Sequence, residues 1–106
     1  MTIIDDLTAE TRAFAIARDW LPFHTPKNLA MAIAGEAGEL AAEFQWLTAE
    51  ESSRDVLSKE QFGAIRLEIA DVLIYLLRLG EVLQVDLPGA VREKLAINEE
   101  RFLRNK

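Results

Sequence analysis

Gly35-Glu36-Ala37-Gly38-Glu39-Leu40-Ala41-Ala42-Glu43 is the stretch on which the predicted fold depends. Its glutamates accompany an apolar stripe at helical spacing. At about 100° per residue, Glu36, Glu43 and Glu39 fall roughly 60°, 80° and 120° to one side of the stripe. The pattern predicts an α-helix with acid crowded along one flank of a buried face. The stripe consists of Leu29, Ile33, Leu40, Phe44 and Leu47.

A second stretch, residues 65–76, repeats this arrangement. Glu68, Tyr75 and Asp71 fall at roughly 60°, 80° and 120° on the same side of an apolar stripe. The two helices are therefore interpreted as matched halves of one site. The second stripe consists of Ile65, Ile69, Val72 and Leu76.

Local start signals place the other helix boundaries. A first helix is predicted over residues 6–20, with Asp5 or Asp6 as its N-cap. Thr25 followed by Pro26 predicts the N-cap and first position of a second helix that runs to about Leu47. Residues 48–57 are polar and indicate a surface connection with about one helical turn.

Ser58 and Gln61 have capping-box spacing, which predicts a third helix over residues 59–83. Asp86 is expected to cap a fourth helix that ends near Arg104. No β pattern competes, so the chain is predicted to be all-α and four-helix bundle-like. The fourth helix is expected to turn inward Leu87, Val91, Leu95 and Phe102.

The third helix is apolar nearly all round, which predicts burial on more than one side. The side opposite its stripe needs cover that a chain of 106 residues supplies only in part. Self-association through a two-fold interface is therefore expected. The residues assigned to this interface are Leu67, Ala70, Ile74 and Leu77.

Composition limits the functional class. Hydrophobic residues make up 50% and charged residues 28%, which is typical of one globular domain, assigned to residues 1–106. A net charge of −6 argues against a nucleic-acid polymer as partner, and the absence of cysteine excludes thiol chemistry. We expect a cytoplasmic protein, because the N-terminus has no apolar run of signal-peptide length and no stretch is long enough to span a membrane.

The clustered acids indicate a metal site. Carboxylates held close together near an apolar face repel one another and need cations. Oxygen ligands favour Mg²⁺, with Mn²⁺ as an alternative, and magnesium commonly shares phosphate ligands with a substrate. Lys94, Asn98 and Arg101 share one face of the fourth helix, which is suited to hold such phosphates.

Each of these residues also has a purely structural interpretation. Helical glutamates usually form a solvated face, and so do residues such as Lys94, Asn98 and Arg101. Glu43 is expected to be solvent-facing rather than a ligand. A lone tyrosine such as Tyr75 is commonly a core-edge residue whose hydroxyl reaches water. Trp20 and Trp46 would more often be core residues, and His24 would more often be a loop histidine that is hydrogen-bonded to the backbone.

The ordered motifs of the chain resemble the MazG-like all-α nucleoside triphosphate pyrophosphohydrolases, and within them the dCTP pyrophosphatase-like branch. The metal motif is matched by Glu36-x-x-Glu39 and Glu68-x-x-Asp71. The resemblance covers almost the whole chain. Its other matching segments are Arg18-Asp19-Trp20, Phe23-His24-x-Pro26-x-Asn28, Phe44-Gln45-Trp46, Asp71-Val72-Leu73-Ile74-Tyr75-Leu76, Val85-Asp86-Leu87-Pro88 and Lys94-x-x-Ile97-Asn98-x-x-Arg101.

The resemblance implies hydrolysis of a (deoxy)nucleoside triphosphate to monophosphate and pyrophosphate, by a homodimer or homotetramer with sites near subunit boundaries. It implies that Mg²⁺ is held by Glu36, Glu39, Glu68 and Asp71. It assigns phosphates to Tyr75, Lys94, Asn98 and Arg101, and the base to Trp20 and Trp46, with His24 as a further substrate contact. Members of the branch can carry a base-contacting histidine on the first helix, where this chain has Thr11.

Two other functional classes are compatible with acids on facing helices. A carboxylate-bridged di-iron bundle needs Glu-x-x-His pairs, and the single histidine here, His24, lies in a loop. A non-catalytic nucleotide-binding helical module remains the second alternative. The complete set of four acids favours an enzyme over such a module.

Overall fold

The structure, a computed structural model, describes residues 2–103, and within them it has four α-helices and no strand. The helices are α1 (Ile3–Ala17), α2 (Pro26–Phe44), α3 (Lys59–Val82) and α4 (Leu87–Leu103), with a 3₁₀ turn at Leu21–Phe23 between α1 and α2. The all-α prediction is confirmed for this range. None of these helices has the length and apolarity that crossing a membrane requires.

The starts of α2, α3 and α4 follow the predicted caps. Thr25 accepts a hydrogen bond from the backbone N–H of Asn28 at 3.2 Å, and Pro26 begins α2. Ser58 and Gln61 form a reciprocal capping box at 3.0 and 2.9 Å. At α4, Oδ1 of Asp86 accepts from the backbone N–H of Gly89 at 3.2 Å. These side chains satisfy N–H groups that the first turn of a helix leaves free.

The predicted N-cap of α1 was wrong. Thr2 is the N-cap, because its hydroxyl accepts from the N–H of Asp5 at 3.1 Å while Asp5 accepts from the N–H of Thr2 at 3.0 Å. These hydrogen bonds, first that of the backbone N–H of Thr2, lower the pKa of Asp5. The helix also ends at Ala17 rather than at Trp20. Asp19 has a φ of 57°, a left-handed conformation that an α-helix cannot continue through.

The second helix ends three residues before the predicted Leu47, at Phe44. Turns follow, and they are fixed by a reciprocal pair in which Thr48 N–H donates to Glu51 at 2.8 Å and Glu51 N–H donates to Thr48 at 3.2 Å. The third helix ends one residue from the prediction, at Val82. The predicted end of α4, Arg104, lies outside the described residues.

Helix α3 is the centre of the packing, with α2 against one side and α1 against another. Its predicted inward stripe was partly wrong, because Ile65 is buried whereas Ile69 is 53% and Leu76 is 41% exposed. Leu77, which was assigned to an interface, is buried within the chain, because α1 covers that side of α3. The side chains that form the core are Ala15, Leu29, Ile65 and Leu77.

Helix α4 projects from the other three. It contains no buried residue, and the predicted inward side chains Val91, Leu95 and Phe102 are more than half exposed. The radius of gyration is 16.7 Å, whereas a compact domain of this length has about 13 Å. The prediction that α4 buries this face was therefore wrong for the single chain, because no other helix of the chain covers it.

Candidate metal centre and adjoining cavity

Three glutamates meet where α2 packs against α3. One carboxylate oxygen from each of Glu36, Glu39 and Glu68 lies within 4.8 Å of the others. The i, i+3 spacing on α2 puts Glu36 and Glu39 on neighbouring turns that face α3. Packing of the two helices therefore creates a compact group of acidic oxygens, as the sequence predicted for these three residues.

Two of these oxygens lack a partner. Oε2 of Glu36 and Oε2 of Glu68 are buried and have no hydrogen bond. A buried carboxylate oxygen without a partner is unfavourable unless a cation or a proton compensates it. The donor set is oxygen only, which suits a hard divalent cation. These residues therefore fit a divalent cation with a preference for oxygen ligands.

The electrostatics of the group agree with this fit. A hydrogen bond with Glu39, then burial, then the charges of neighbouring acids raise the pKa of Glu36 to about 7. Burial, followed by the charges of Glu39, Asp71 and Glu43, raises the pKa of Glu68. Glu36 and Glu68 therefore bind protons more strongly than ordinary carboxylates do, and a divalent cation would compete with those protons.

Asp71 lies beside the three glutamates rather than among them. Its charge raises the pKa of both Glu36 and Glu68, so it shares their electrostatic environment. It also lines the adjoining cavity together with Glu36. Asp71 is thus positioned between the acidic group and the cavity.

The cavity has a volume of about 680 Å³ and is bounded by α1, α3, the turn between α1 and α2, and Glu36 of α2. The rings of Trp20 and His24 are 6.3 Å apart and those of His24 and Tyr75 are 6.5 Å apart, centroid to centroid. All three line the cavity, as does Thr11 on α1. The volume is within the range of small-molecule sites, about 300–1,000 Å³. A flat ring system beside the acids would find aromatic surfaces here.

Sequence reasoning missed Arg78. This residue is 3% exposed and lines the cavity, and its Nε donates to Nδ1 of His24 at 3.2 Å. Its Nη1 donates to the carboxylate of Glu81, which lies 3.7 Å from Nε of Arg12. Burial, and then the charge of Arg78, lower the pKa of His24. The available signal was that Arg78 is the one charged residue within positions 72–80.

Four predicted substrate residues do not reach this cavity in the single chain. Trp46 follows the end of α2 and is 87% exposed. Lys94, Asn98 and Arg101 lie on the projecting α4, and none of them lines the cavity. The chain therefore brings together the acids, Trp20, His24 and Tyr75, and leaves the predicted basic wall apart.

Comparison with known proteins gives a consistent set of relatives. The chain is 43% identical over 99 residues to human dCTP pyrophosphatase 1 and 40% identical to the mouse protein of the same name, in each case over 93% of this chain and 58% of the relative. It therefore spans somewhat more than half the length of these relatives. The crystal structure of a pyrophosphatase from Archaeoglobus fulgidus superimposes with a TM-score of 0.86 at 39% identity, covering 96% of this chain and 94% of that one. No family model matches the sequence.

Proposed function

The chain belongs to the dCTP pyrophosphatase-like, MazG-type family of all-α pyrophosphatases, and we propose that it hydrolyses a (deoxy)nucleoside triphosphate to monophosphate and pyrophosphate. One observation carries the proposal. Two unpartnered buried carboxylate oxygens, on Glu36 and Glu68, lie next to a cavity of about 680 Å³ lined by aromatic rings. A triphosphate presents phosphate oxygens at one end and a flat base at the other, which matches these two neighbouring environments.

We propose Mg²⁺ as the cofactor, with Mn²⁺ able to replace it. Glu36, Glu39, Glu68 and Asp71 would hold the ion. Such an ion supplies positive charge that stabilises the phosphoryl oxygens as the bond between the α and β phosphates breaks. A carboxylate of the same group orients the attacking water and accepts its proton.

The aromatic end of the cavity is proposed to hold the base. Trp20 and Tyr75 provide apolar ring surfaces, and His24 lies between them with ring separations of 6.3 and 6.5 Å. A pocket of this kind accepts a pyrimidine by stacking and leaves discrimination to its few polar groups. We propose dCTP or a 5-substituted deoxypyrimidine triphosphate as substrate, removed from the cytoplasmic nucleotide pool. A net charge of −6 disfavours a nucleic-acid polymer as a competing partner.

The active unit is proposed to be a homodimer or homotetramer. A single chain exposes 8118 Å², whereas a compact monomer of this mass exposes about 6,000 Å². Much of the excess is apolar, since Val91 and Leu95 on α4 and Leu67 on α3 are more than half exposed. A second copy that covers these faces would bring α4 of one chain towards the cavity of the other. Lys94, Asn98 and Arg101, and with them Trp46, would then complete the site.

A substrate panel tests the proposal. Canonical, deoxy and 5-substituted triphosphates are incubated with the protein and Mg²⁺, and monophosphate and pyrophosphate are quantified. We expect dCTP or a 5-substituted relative to give the highest kcat/KM. Release of orthophosphate alone, or a strong preference for purines, would contradict the proposal.

A further inference from the structure

Buried Arg78, which is bonded to the half-buried ring of His24, has no part in the function proposed above. Arg78 is on α3 and His24 is in the turn between α1 and α2, 54 positions apart in sequence, and the hydrogen bond from Arg78 Nε to His24 Nδ1 joins them across 3.2 Å. Both residues line the cavity. The pair therefore fixes part of the cavity wall by a contact between distant parts of the chain.

The direction of this hydrogen bond determines the state of the imidazole. A guanidinium only donates, so Nδ1 of His24 must accept and carries no proton. The ring proton of the neutral imidazole is then on Nε2. Burial and the positive charge of Arg78 both lower the pKa of His24, which keeps the ring neutral. Among the described residues, the bond to Arg78 is the only hydrogen bond of the ring, so Nε2–H is left as a donor.

The guanidinium is itself held in place. Nη1 of Arg78 donates to the carboxylate of Glu81, which compensates the buried charge, and Arg12 approaches Glu81 from α1 at 3.7 Å. Two of the three guanidinium nitrogens therefore have defined partners, and a planar group bound at two points does not rotate freely. Arg78 thus restrains the orientation of the His24 ring as well as its tautomer.

The position of Arg78 and His24 in the cavity indicates which part of a bound nucleotide Nε2–H of His24 contacts. Arg78 follows Asp71 by seven positions on α3, which places it about 10 Å further along the helix axis. Glu36 and Asp71 line the cavity on the acidic side, whereas His24 is bound to Arg78, further along α3, with the rings of Trp20 and Tyr75 at 6.3 and 6.5 Å. A molecule whose phosphates lie at the acids therefore presents its base to His24.

We propose that Arg78 is a positioning residue that holds His24 as a neutral imidazole with its proton on Nε2, so that Nε2–H donates to an acceptor atom on the edge of the base. The inference rests on the proposed function, because it requires a nucleotide in this cavity. It adds a specificity element that acts on the nucleoside and not on the phosphates. A pre-oriented donor improves binding because less rotational freedom is lost when the base arrives.

Nuclear magnetic resonance tests whether Arg78 sets the tautomer of His24, and it needs no activity assay. His24 is the only histidine of the chain, so two-bond ¹⁵N–¹H correlations of the imidazole report it without ambiguity. We expect one tautomer, protonated at Nε2, in the wild-type protein. In Arg78→Met we expect a mixture of tautomers and a His24 pKa nearer its ordinary value. A wild-type ring protonated at Nδ1, or an unchanged single tautomer in Arg78→Met, would overturn the assignment.

Calorimetric binding measurements test whether Nε2–H of His24 donates to the base. The probes are the non-hydrolysable α,β-imido analogue of dCTP and inorganic tripolyphosphate, which lacks a base, in the same magnesium buffer. We expect Arg78→Met to weaken binding of the imido analogue about tenfold, the equivalent of one hydrogen bond, and to leave tripolyphosphate binding unchanged. Equal weakening of both probes, or no weakening of either, would overturn the positioning role. Absence of nucleotide binding by the wild type would overturn the proposed function, and this inference with it.

A double-mutant cycle separates an effect of Arg78→Met that acts through His24 from a general effect on folding. His24→Ala removes the donor directly, and Arg78→Met in that background should weaken imido-dCTP binding no further, because Arg78 acts through His24. Independent, additive losses would show that Arg78 acts otherwise. Arg78→Lys keeps the charge but lacks the forked guanidinium. Compared with Arg78→Met, we expect it to recover only part of the Nε2-protonated tautomer of His24 and a similar part of the imido-dCTP affinity.

Discussion

Glu36 and Glu39 lie one turn apart on α2 with carboxylate oxygens within 4.8 Å of each other, and the interaction with Glu39 is the largest of the effects that raise the pKa of Glu36 to about 7. Two carboxyl groups this close repel each other when both are ionised, which favours the protonated form of one of them. Glu36 is therefore partly protonated near neutral pH when no cation is bound. This coupling leads to the first prediction.

We predict that stability without metal depends on pH through Glu36. Its folded pKa of about 7 exceeds the ordinary value of 4.5, so the stability that the protonated group contributes is present below the ordinary value and is lost as pH rises through about 7. The lowered pKa of His24 acts in the opposite direction, with stability falling as pH decreases. Comparison of wild type with Glu36→Gln isolates the glutamate, since both proteins contain His24.

The measurement is thermal unfolding of both proteins in EDTA from about pH 5 to pH 8. The Tm of Glu36→Gln should exceed that of wild type at the upper end of this pH range, and the two Tm values should converge at the lower end. A difference that stays constant across this range would show that Glu36 is not perturbed.

Binding of Mg²⁺ should raise the Tm of the wild type. A ligand at a hundred times its Kd stabilises the folded state by about 2.7 kcal/mol. In Glu39→Gln the increase should be largely lost, while the Tm in EDTA should rise because repulsion is relieved. Glu50→Gln, at an exposed acid in the turns after α2, is the control and should respond as wild type does. Equal responses of Glu39→Gln and Glu50→Gln would contradict the assigned metal site.

Replacement of two α3 glycines by alanine should change the stability of the chain differently. A Cβ at Gly63 meets no atom within 4 Å, whereas one at Gly80 lies 2.9 Å from Leu87 at the start of α4. Gly63→Ala should therefore stabilise the chain by about 0.8–1 kcal/mol through helix propensity. Gly80→Ala should show no such gain, because Leu87 must move. Denaturant unfolding measures both, and a larger gain at Gly80 would contradict the packing of α4 onto the end of α3.

Self-association is predicted to depend on the apolar face of α4. Leu95 is 61% exposed in the single chain, and burial of one leucine is worth about 1.5–3 kcal/mol. Light scattering on a sizing column should give wild type a multiple of 11.9 kDa. Leu95→Asp should shift it towards the monomer, and Leu95→Met, which keeps the apolar surface, should not. An active wild-type monomer at assay concentration would rule this out.

The helix starts at Thr25, Ser58 and Asp86 were predictable because each cap is a contact between residues three apart. The α1 start was missed although Thr2 and Asp5 make the same kind of contact, because the first acids were themselves taken as caps. The acidic group was predictable for a related reason. Helical periodicity alone puts Glu36 and Glu39 on one flank of α2 and Glu68 on the matching flank of α3.

The choice of buried side on α3 could not be predicted in the same way. A helix that is apolar nearly all round offers several faces, and the packing of α1 and α2 against α3 determines that Leu77 is buried while Ile69 and Leu76 are exposed. The role of Arg78 depends on His24, which is far away in sequence. Helical periodicity likewise gave no sign that α4 would project, since its apolar face was assumed to pack within the chain.

Product analysis with dCTP tests the central claim most directly. The protein is incubated with dCTP and Mg²⁺ in ¹⁸O-labelled water, and ³¹P spectra identify the products, with Glu39→Gln as the inactive control. We predict dCMP and pyrophosphate in equal amounts from the wild type, and no turnover from the variant or in EDTA. Formation of dCDP and orthophosphate, or turnover that persists in Glu39→Gln, would contradict the account.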